Sequence, residues 1–164
     1  MKTKGLFDNS TVRRQDRLLE YDRAMELLIN AEYGVLSLGG KAGYGIPLNF
    51  VLNEESLYFH CAPEGKKLQL MKQNNEVCFC IIGNTKPFPE KFTTAYESVL
   101  VFGKISLVDE SNERMHALEL IVAKYSPDFK DLGRKYAEKS FHRTAVLRLD
   151  INQISGKTKI IPSP

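Results

Sequence analysis

The chain has 164 residues, 43% of them hydrophobic and 26% charged, with a net charge of +3. That length suits one domain able to bury its own core, and the balance argues against disorder. Lysine and arginine are spread too evenly to predict nucleic-acid binding, and neither an apolar run of about 18 residues nor an export signal is seen; a cytoplasmic protein with no membrane segment is expected.

Residues 1–11 are polar and read as a flexible tail, leaving 12–160 as a single domain. Asp22 can cap a helix over 22–31, with Met25, Leu28 and Ile29 at helical spacing. Residues 33–38 read as a strand. The glycine-rich stretch 39–45 reads as a hairpin loop leading into a strand over 46–52. Its glycines lack the spacing of a dinucleotide fingerprint, and no long helix follows them, so a Rossmann reading fails. Pro47 has no ladder donor, which places it at an edge or a bulge. A turn at 53–56 precedes a strand over 57–60.

That strand stops at His60-Cys61, a Pro63-Glu64-Gly65 turn follows, and Lys66 and Lys67 open a short helix over Lys66–Gln73. A strand passing through a turn into a helix start presents unpaired N–H groups and the positive end of the helix dipole. Two lysines add charge at the same place, so the geometry suits a phosphate, with His60 six residues before the first of them. The alternative for the lysines is a solvated helix start, and for His60 a satisfied interior histidine.

Residues 77–82 are apolar on both faces and predict a central strand. A long loop with Pro87 and Pro89 follows, then a strand over 98–108 with Val99, Val101, Gly103, Ile105 and Leu107 on one side. Gly103 marks a bulge or a close backbone approach. Ser111–Tyr125 is the clearest helix, with Met115, Leu118, Val122 and Tyr125 in one stripe, and a weaker helix covers 129–139. The last strand, 144–151, faces Ala145, Leu147, Leu149 and Ile151 inward. Short strands joined by hairpins favour an antiparallel barrel with flanking helices over a doubly wound sheet.

Cys61, Cys78 and Cys80 make an odd set and read as reduced thiols. Cys78 and Cys80 share one face of their strand, but no second Cys or His pair stands at zinc spacing, so no metal site is expected. Asn49, in an otherwise apolar strand, needs partners that either a nearby backbone or a ligand edge can supply. Ser98 can pair across strands.

Five segments carry a family resemblance: 31–37, 46–51, 57–67, 91–103 and 143–151. In that order and spacing the chain resembles the pyridoxamine 5'-phosphate oxidase-related flavoproteins, in the branch of the 5-nitroimidazole reductases. The resemblance implies a mainly β fold, a six-stranded antiparallel split barrel with flanking helices. It also implies a homodimer with FMN in clefts at the subunit interface. Carried over by position, Pro47, Leu48 and Asn49 would line the flavin ring, and His60 and Cys61 would stand beside it. Lys67 would hold the phosphate with Lys66 assisting, and Ser98 would reach the cofactor. The implied activity is an FMN-dependent oxidoreductase passing electrons to a small electron-poor acceptor such as a nitroaromatic. NAD(P)H would be a transient donor and His60 a proton donor. The alternative is a non-catalytic flavin- or tetrapyrrole-binding module for storage or sensing.

Overall fold

Seven strands are present among the described residues: β1 (Gly34–Leu38), β2 (Tyr44–Leu48), β3 (Val51–Asn53), β4 (Ser56–Cys61), β5 (Glu76–Phe88), β6 (Thr93–Leu107) and β7 (Ala145–Lys159). They appear in a computed structural model that describes residues 2–40 and 42–161. Met1 of the predicted tail and Lys41 of the glycine-rich loop lie outside the described residues. The strands form one antiparallel sheet in the order β2-β1-β5-β6-β7-β4-β3. Its two outermost strands, β2 and β3, are consecutive in sequence and separated only by Asn49 and Phe50. Two edges joined by so short a link oblige the sheet to curl back on itself. The result is a split barrel, mainly β, with flanking helices. The expected six strands become seven because the segment predicted over 46–52 breaks at Asn49-Phe50.

Alternation decides which side of each strand meets the core. Leu36, Phe59, Phe79, Val101, Leu149 and Ile154 point inward and are fully or almost fully buried. Phe79 stands at the centre, edge-on to Phe50 at 4.9 Å and to Phe59 at 5.1 Å between ring centroids. Such pairs add about 0.5–1.5 kcal/mol beyond burial. Helix α1 (Tyr21–Asn30) packs Ala24, Met25 and Leu28 into this core. The helix starts at Tyr21 rather than Asp22, with no side-chain cap, and Ile29 is partly exposed. Helix α2 (Lys66–Gln73) adds Met71.

A second, smaller core lies outside the barrel, where α3 (Ser111–Tyr125) and α4 (Lys130–Ser140) cover β4 and the first half of β7. Ala117, Leu118 and Ile121 of α3 are buried there with Tyr58 and Val146. This buried stripe is rotated from the predicted one, since Met115 and Val122 are only half-buried.

Three further expectations need correction. The loop predicted around Pro87 and Pro89 is instead the tip of a long hairpin: β5 runs to Phe88 and β6 begins at Thr93. Prolines are tolerated there because the arm projects beyond the barrel, with Pro87 exposed. The last strand runs on past Ile151 to Lys159. Residues 2–11, expected to be a flexible tail, are held against the body. Thr3 is buried with its hydroxyl 2.9 Å from that of Tyr21, and Asp8 N–H donates to the Ile154 carbonyl at 2.9 Å.

Gly103 meets both expectations for it. The β6–β7 register shifts between Phe102 and Gly103, and a Cβ there would collide with the Asp150 carbonyl oxygen. Pro47 sits, as predicted, on an edge strand. Among the described residues no helix is long and apolar enough to cross a membrane.

Candidate functional site

The turn from β4 into α2 gathers several of the expected residues. Gly65 precedes the helix with φ +122°, a conformation that side-chain-bearing residues rarely adopt. It provides no side-chain cap, so the first N–H groups of α2 stay open to a ligand. Lys66 extends its ammonium over the Tyr44 ring at 4.8 Å, joining the helix start to the edge strand β2. Lys67 is half-buried and forms no ion pair among the described residues. It is close enough to His60 for its charge to be felt there. Desolvation by surrounding atoms is the larger influence on His60, and the two together hold its pKa below the ordinary imidazole value. The residue keeps an open solvent edge, and its ring forms no hydrogen bond among the described residues.

His60 and Cys61 were both expected beside one ligand, but consecutive strand residues point to opposite faces. His60 faces outward, toward α3 and α4, whereas Cys61 packs half-buried against the barrel core. Only one of these side chains can face a ligand on the outer side of β4.

Pro47 and Ser98 share a different surface. In the aligned strands, Pro47 lies beside Val35, which lies beside Cys80 and then Leu100. One row on, Ser37 aligns with Cys78 and Phe102, while Ile82 aligns with Ser98. These residues are half-buried or exposed, Ile82 at 66%, on an outer sheet face with a strongly apolar character. Ser98 lies within β6 rather than at its start. Burial pushes the Cys78 thiol up to about 11, and the neighbouring Cys80 adds to the effect. Both thiols are therefore protonated at neutral pH and poor nucleophiles.

Asn49 is exposed at the seam between β2 and β3, and its amide donates to the Glu32 carbonyl at 2.7 Å. This bond reaches a carbonyl 17 residues away in sequence rather than a local one at the bulge near Pro47. Leu48 is half-buried beside Gly34. Two residues that sequence reasoning did not assign to the seam complete it from α3. The Tyr125 hydroxyl accepts from Phe50 N–H at 2.9 Å and reaches the carbonyls of Glu32 and Phe50 at 2.7 and 2.8 Å. Lys124 places its ammonium 3.9 Å from the centre of the Phe50 ring, with no hydrogen-bond partner among the described residues. Their only sequence signal was position at the end of a strongly periodic helix.

A curled antiparallel barrel split at one seam, with a cationic strand–turn–helix junction beside an open edge strand, defines the class of split-barrel proteins. The chain belongs to the pyridoxamine 5'-phosphate oxidase family, whose model matches residues 20–158. No curated protein is similar enough to count as a match. Among solved structures, a candidate 5-nitroimidazole antibiotic resistance protein from Bacteroides thetaiotaomicron is 23% identical, with TM-score 0.69, covering 87% of this chain and 86% of that one. A flavocytochrome from Azotobacter vinelandii is 18% identical at TM-score 0.73, covering 87% and 69% respectively. An FAD-binding protein from Mesorhizobium loti is 21% identical at TM-score 0.60, covering 88% and 98%. At these identities the likeness establishes a shared fold.

Proposed function

We propose that this protein is a flavin-dependent oxidoreductase, that its flavin is FMN, and that it works as a homodimer with the cofactor between the copies. The observation that carries this reading is the β4–α2 junction. There two lysines without carboxylate partners among the described residues stand at uncapped helix N–H groups, beside His60 and the edge strand β2. This donor set fits a terminal phosphate, because charge and oriented N–H groups converge on one place. Family membership, and relatives described as an FAD-binding protein and a flavocytochrome, support a flavin as the owner of that phosphate.

FMN, when bound, supplies hydride chemistry that no amino-acid side chain can. The chain's own residues hold and orient it. Lys67 binds the phosphate and Lys66 assists, while Pro47, Leu48 and Asn49 lie along the ring. Ser98 reaches it from the outer sheet face that also carries Pro47. That face, with Val35, Cys80, Leu100, Phe102 and Ile82, is apolar enough to call for cover by a second copy. His60 donates a hydrogen bond, and in its protonated form a proton, to a small electron-poor acceptor such as a nitroaromatic. NADH or NADPH is the electron donor and binds transiently.

Titration of the purified protein with FMN, followed by flavin fluorescence and by sedimentation, tests the reading. Lys67→Ala is expected to weaken FMN binding about tenfold while leaving the circular dichroism unchanged. Equal affinity would remove Lys67 from the site. Anaerobic addition of NADH or NADPH should bleach the flavin band; a bound flavin that neither reduces would make the protein a carrier rather than an enzyme.

A further inference from the structure

A group of cations stands on the outer sheet face, beside and beyond Ser98. Val99 and Val101 point into the core, so strand alternation sends Tyr96 and Ser98 to the outer side together. In the aligned strands Ser98 lies beside Lys157 and Tyr96 beside Lys159, which puts both lysines on that face. The Lys157 ammonium is 5.7 Å from the centre of the Tyr96 ring, and that of Lys159 donates to the Thr93 hydroxyl. Arg17 arrives from the N-terminal segment, which lies against the end of β7. There Leu18 bridges to Lys157, and Leu19 N–H donates to the Gly156 carbonyl at 3.1 Å.

Arg17, Lys157 and Lys159 thus come from separate parts of the chain to surround one phenol, and all of these residues are half-buried, Tyr96 included. Burial alone would raise the Tyr96 pKa; hydrogen bonds from Arg17 and Lys157 outweigh it and hold the phenol below its ordinary value. Negative charge is short here. Neither lysine forms an ion pair among the described residues. Asp16, the carboxylate nearest to Arg17 in sequence, is held by the Arg14 Nε at 2.7 Å and stands 3.8 Å from Arg17. Partly desolvated cations without matching carboxylates are costly until an anion joins them.

We propose that this cluster binds the 2'-phosphate of NADPH and makes it the preferred electron donor over NADH. The two donors differ by that one phosphate monoester, which the Arg17 fork and two ammonium groups match in charge and in donors. A site built for NADH would instead offer a free carboxylate to the ribose hydroxyl, and Asp16 is already taken by Arg14. The position suits a dinucleotide. Tyr96 and Lys159 lie about 7 Å beyond Ser98 and Lys157, at about 3.4 Å per residue, in the direction of the projecting arm. The adenosine half runs outward there while the nicotinamide keeps to the flavin beside Ser98. The inference rests on the flavin-oxidoreductase reading above and adds to it the residues that choose the donor.

The test is calorimetry on the full chain loaded with FMN. It is titrated with adenosine 2',5'-bisphosphate, with AMP, which lacks only the 2'-phosphate, and with inorganic phosphate. The bisphosphate is expected to bind at least about tenfold more tightly than either control. NADPH should bleach the flavin band at lower concentration than NADH. Arg17→Ala and Lys157→Ala should each bring the preference for bisphosphate over AMP close to parity. Tyr96→Phe, which removes one oxygen and keeps the ring, should lower it by a smaller factor. A loaded protein that both donors reduce alike, and that binds bisphosphate no better than AMP, overturns this inference alone. Inorganic phosphate binding as tightly as the bisphosphate makes the cluster a general anion site and refutes it. Loss of FMN affinity in Lys157→Ala gives the cluster to the flavin's own phosphate, which also refutes it. Preference for the bisphosphate in a protein with no affinity for FMN overturns the flavin reading, and the donor role falls with it. If Lys157→Glu converts a dimer to a monomer in sedimentation, the cluster is a subunit contact and the proposal is refuted.

Discussion

Replacing Lys124 by methionine should make the protein more stable, and only below alkaline pH. The Lys124 ammonium is enclosed between the Phe50 ring at 3.9 Å and the Tyr125 ring at 5.3 Å, without a hydrogen-bond partner among the described residues. Desolvation lowers its pKa from 10.5 to about 8. That gap corresponds to at most about 3 kcal/mol against the folded state. The partly open side chain lets solvent screen the charge and brings the penalty to about 1–2 kcal/mol. Attraction between the ammonium and the Phe50 face offsets about 0.5–1 kcal/mol of that. Lys124→Met keeps an unbranched stem against Phe50 and removes the charge, for a gain of about 1 kcal/mol at pH 7, or roughly 2–4 °C in Tm. The unfolded chain holds this proton more tightly than the folded one. The penalty is therefore complete below about pH 8 and disappears as pH rises toward 10.5. Urea unfolding of both proteins at pH 7 and pH 10 measures the difference directly. A variant less stable at pH 7, or a gain of equal size at both pH values, would refute the argument.

Gly103→Ala would drive a methyl group into the Asp150 carbonyl at the β6–β7 bulge, and urea titration should show a loss of about 2–4 kcal/mol. Phe50→Ala should cost about 3–5 kcal/mol in the same assay, because the ring fills the core from the seam. Arg23 binds Glu97 through two nitrogens at 2.9 and 2.8 Å, which lowers the Glu97 pKa from its usual 4.5. Stability from that pair is present above pH 4.5 and is lost as pH falls through the lower folded value. Glu97→Gln should therefore cost about 1 kcal/mol at pH 7 and flatten the acid side of a Tm–pH curve. Since His60 is mostly neutral at pH 7, acceptor reduction should speed up as pH falls through the imidazole range; His60→Gln should abolish that dependence in stopped-flow traces.

Much of the barrel could be read from local pattern. Ser111–Tyr125 and Lys66–Gln73 form helices with the predicted ends, because the residues that break the chain on either side of them are local. The break at Asn49-Phe50 could not be read that way. Ile46, Leu48, Phe50 and Leu52 keep a period of two across it, and the bonds that pin it come from Tyr125, 75 residues away from Phe50. The β5–β6 arm was hidden by Pro87 and Pro89, whose usual meaning is a loop. At the site, the Lys66-Lys67 junction was legible because turn, charge and helix start are contiguous. The opposite facings of His60 and Cys61 follow from strand alternation, yet the expectation set both beside one ligand because the resemblance carries positions and not side-chain directions. Phe129, Leu132 and Tyr136 are spaced at helical intervals, but that they line one side of a cleft shows only once α4 lies against α3.

The position of β7 has a consequence for biosynthesis. This last strand of the sheet lies between β6 and β4, so among the described residues it alone pairs the four-stranded piece β2-β1-β5-β6 with the hairpin β4-β3. A nascent chain lacking β7 holds two sheet fragments with raw edges facing each other and no strand to bridge them. Closure must then await synthesis of β7, a high-contact-order event in which those edges are open to mispairing with neighbouring chains. Ribosome stalling just short of Ala145 should accordingly yield a protease-sensitive, chaperone-dependent species rather than a destabilised barrel.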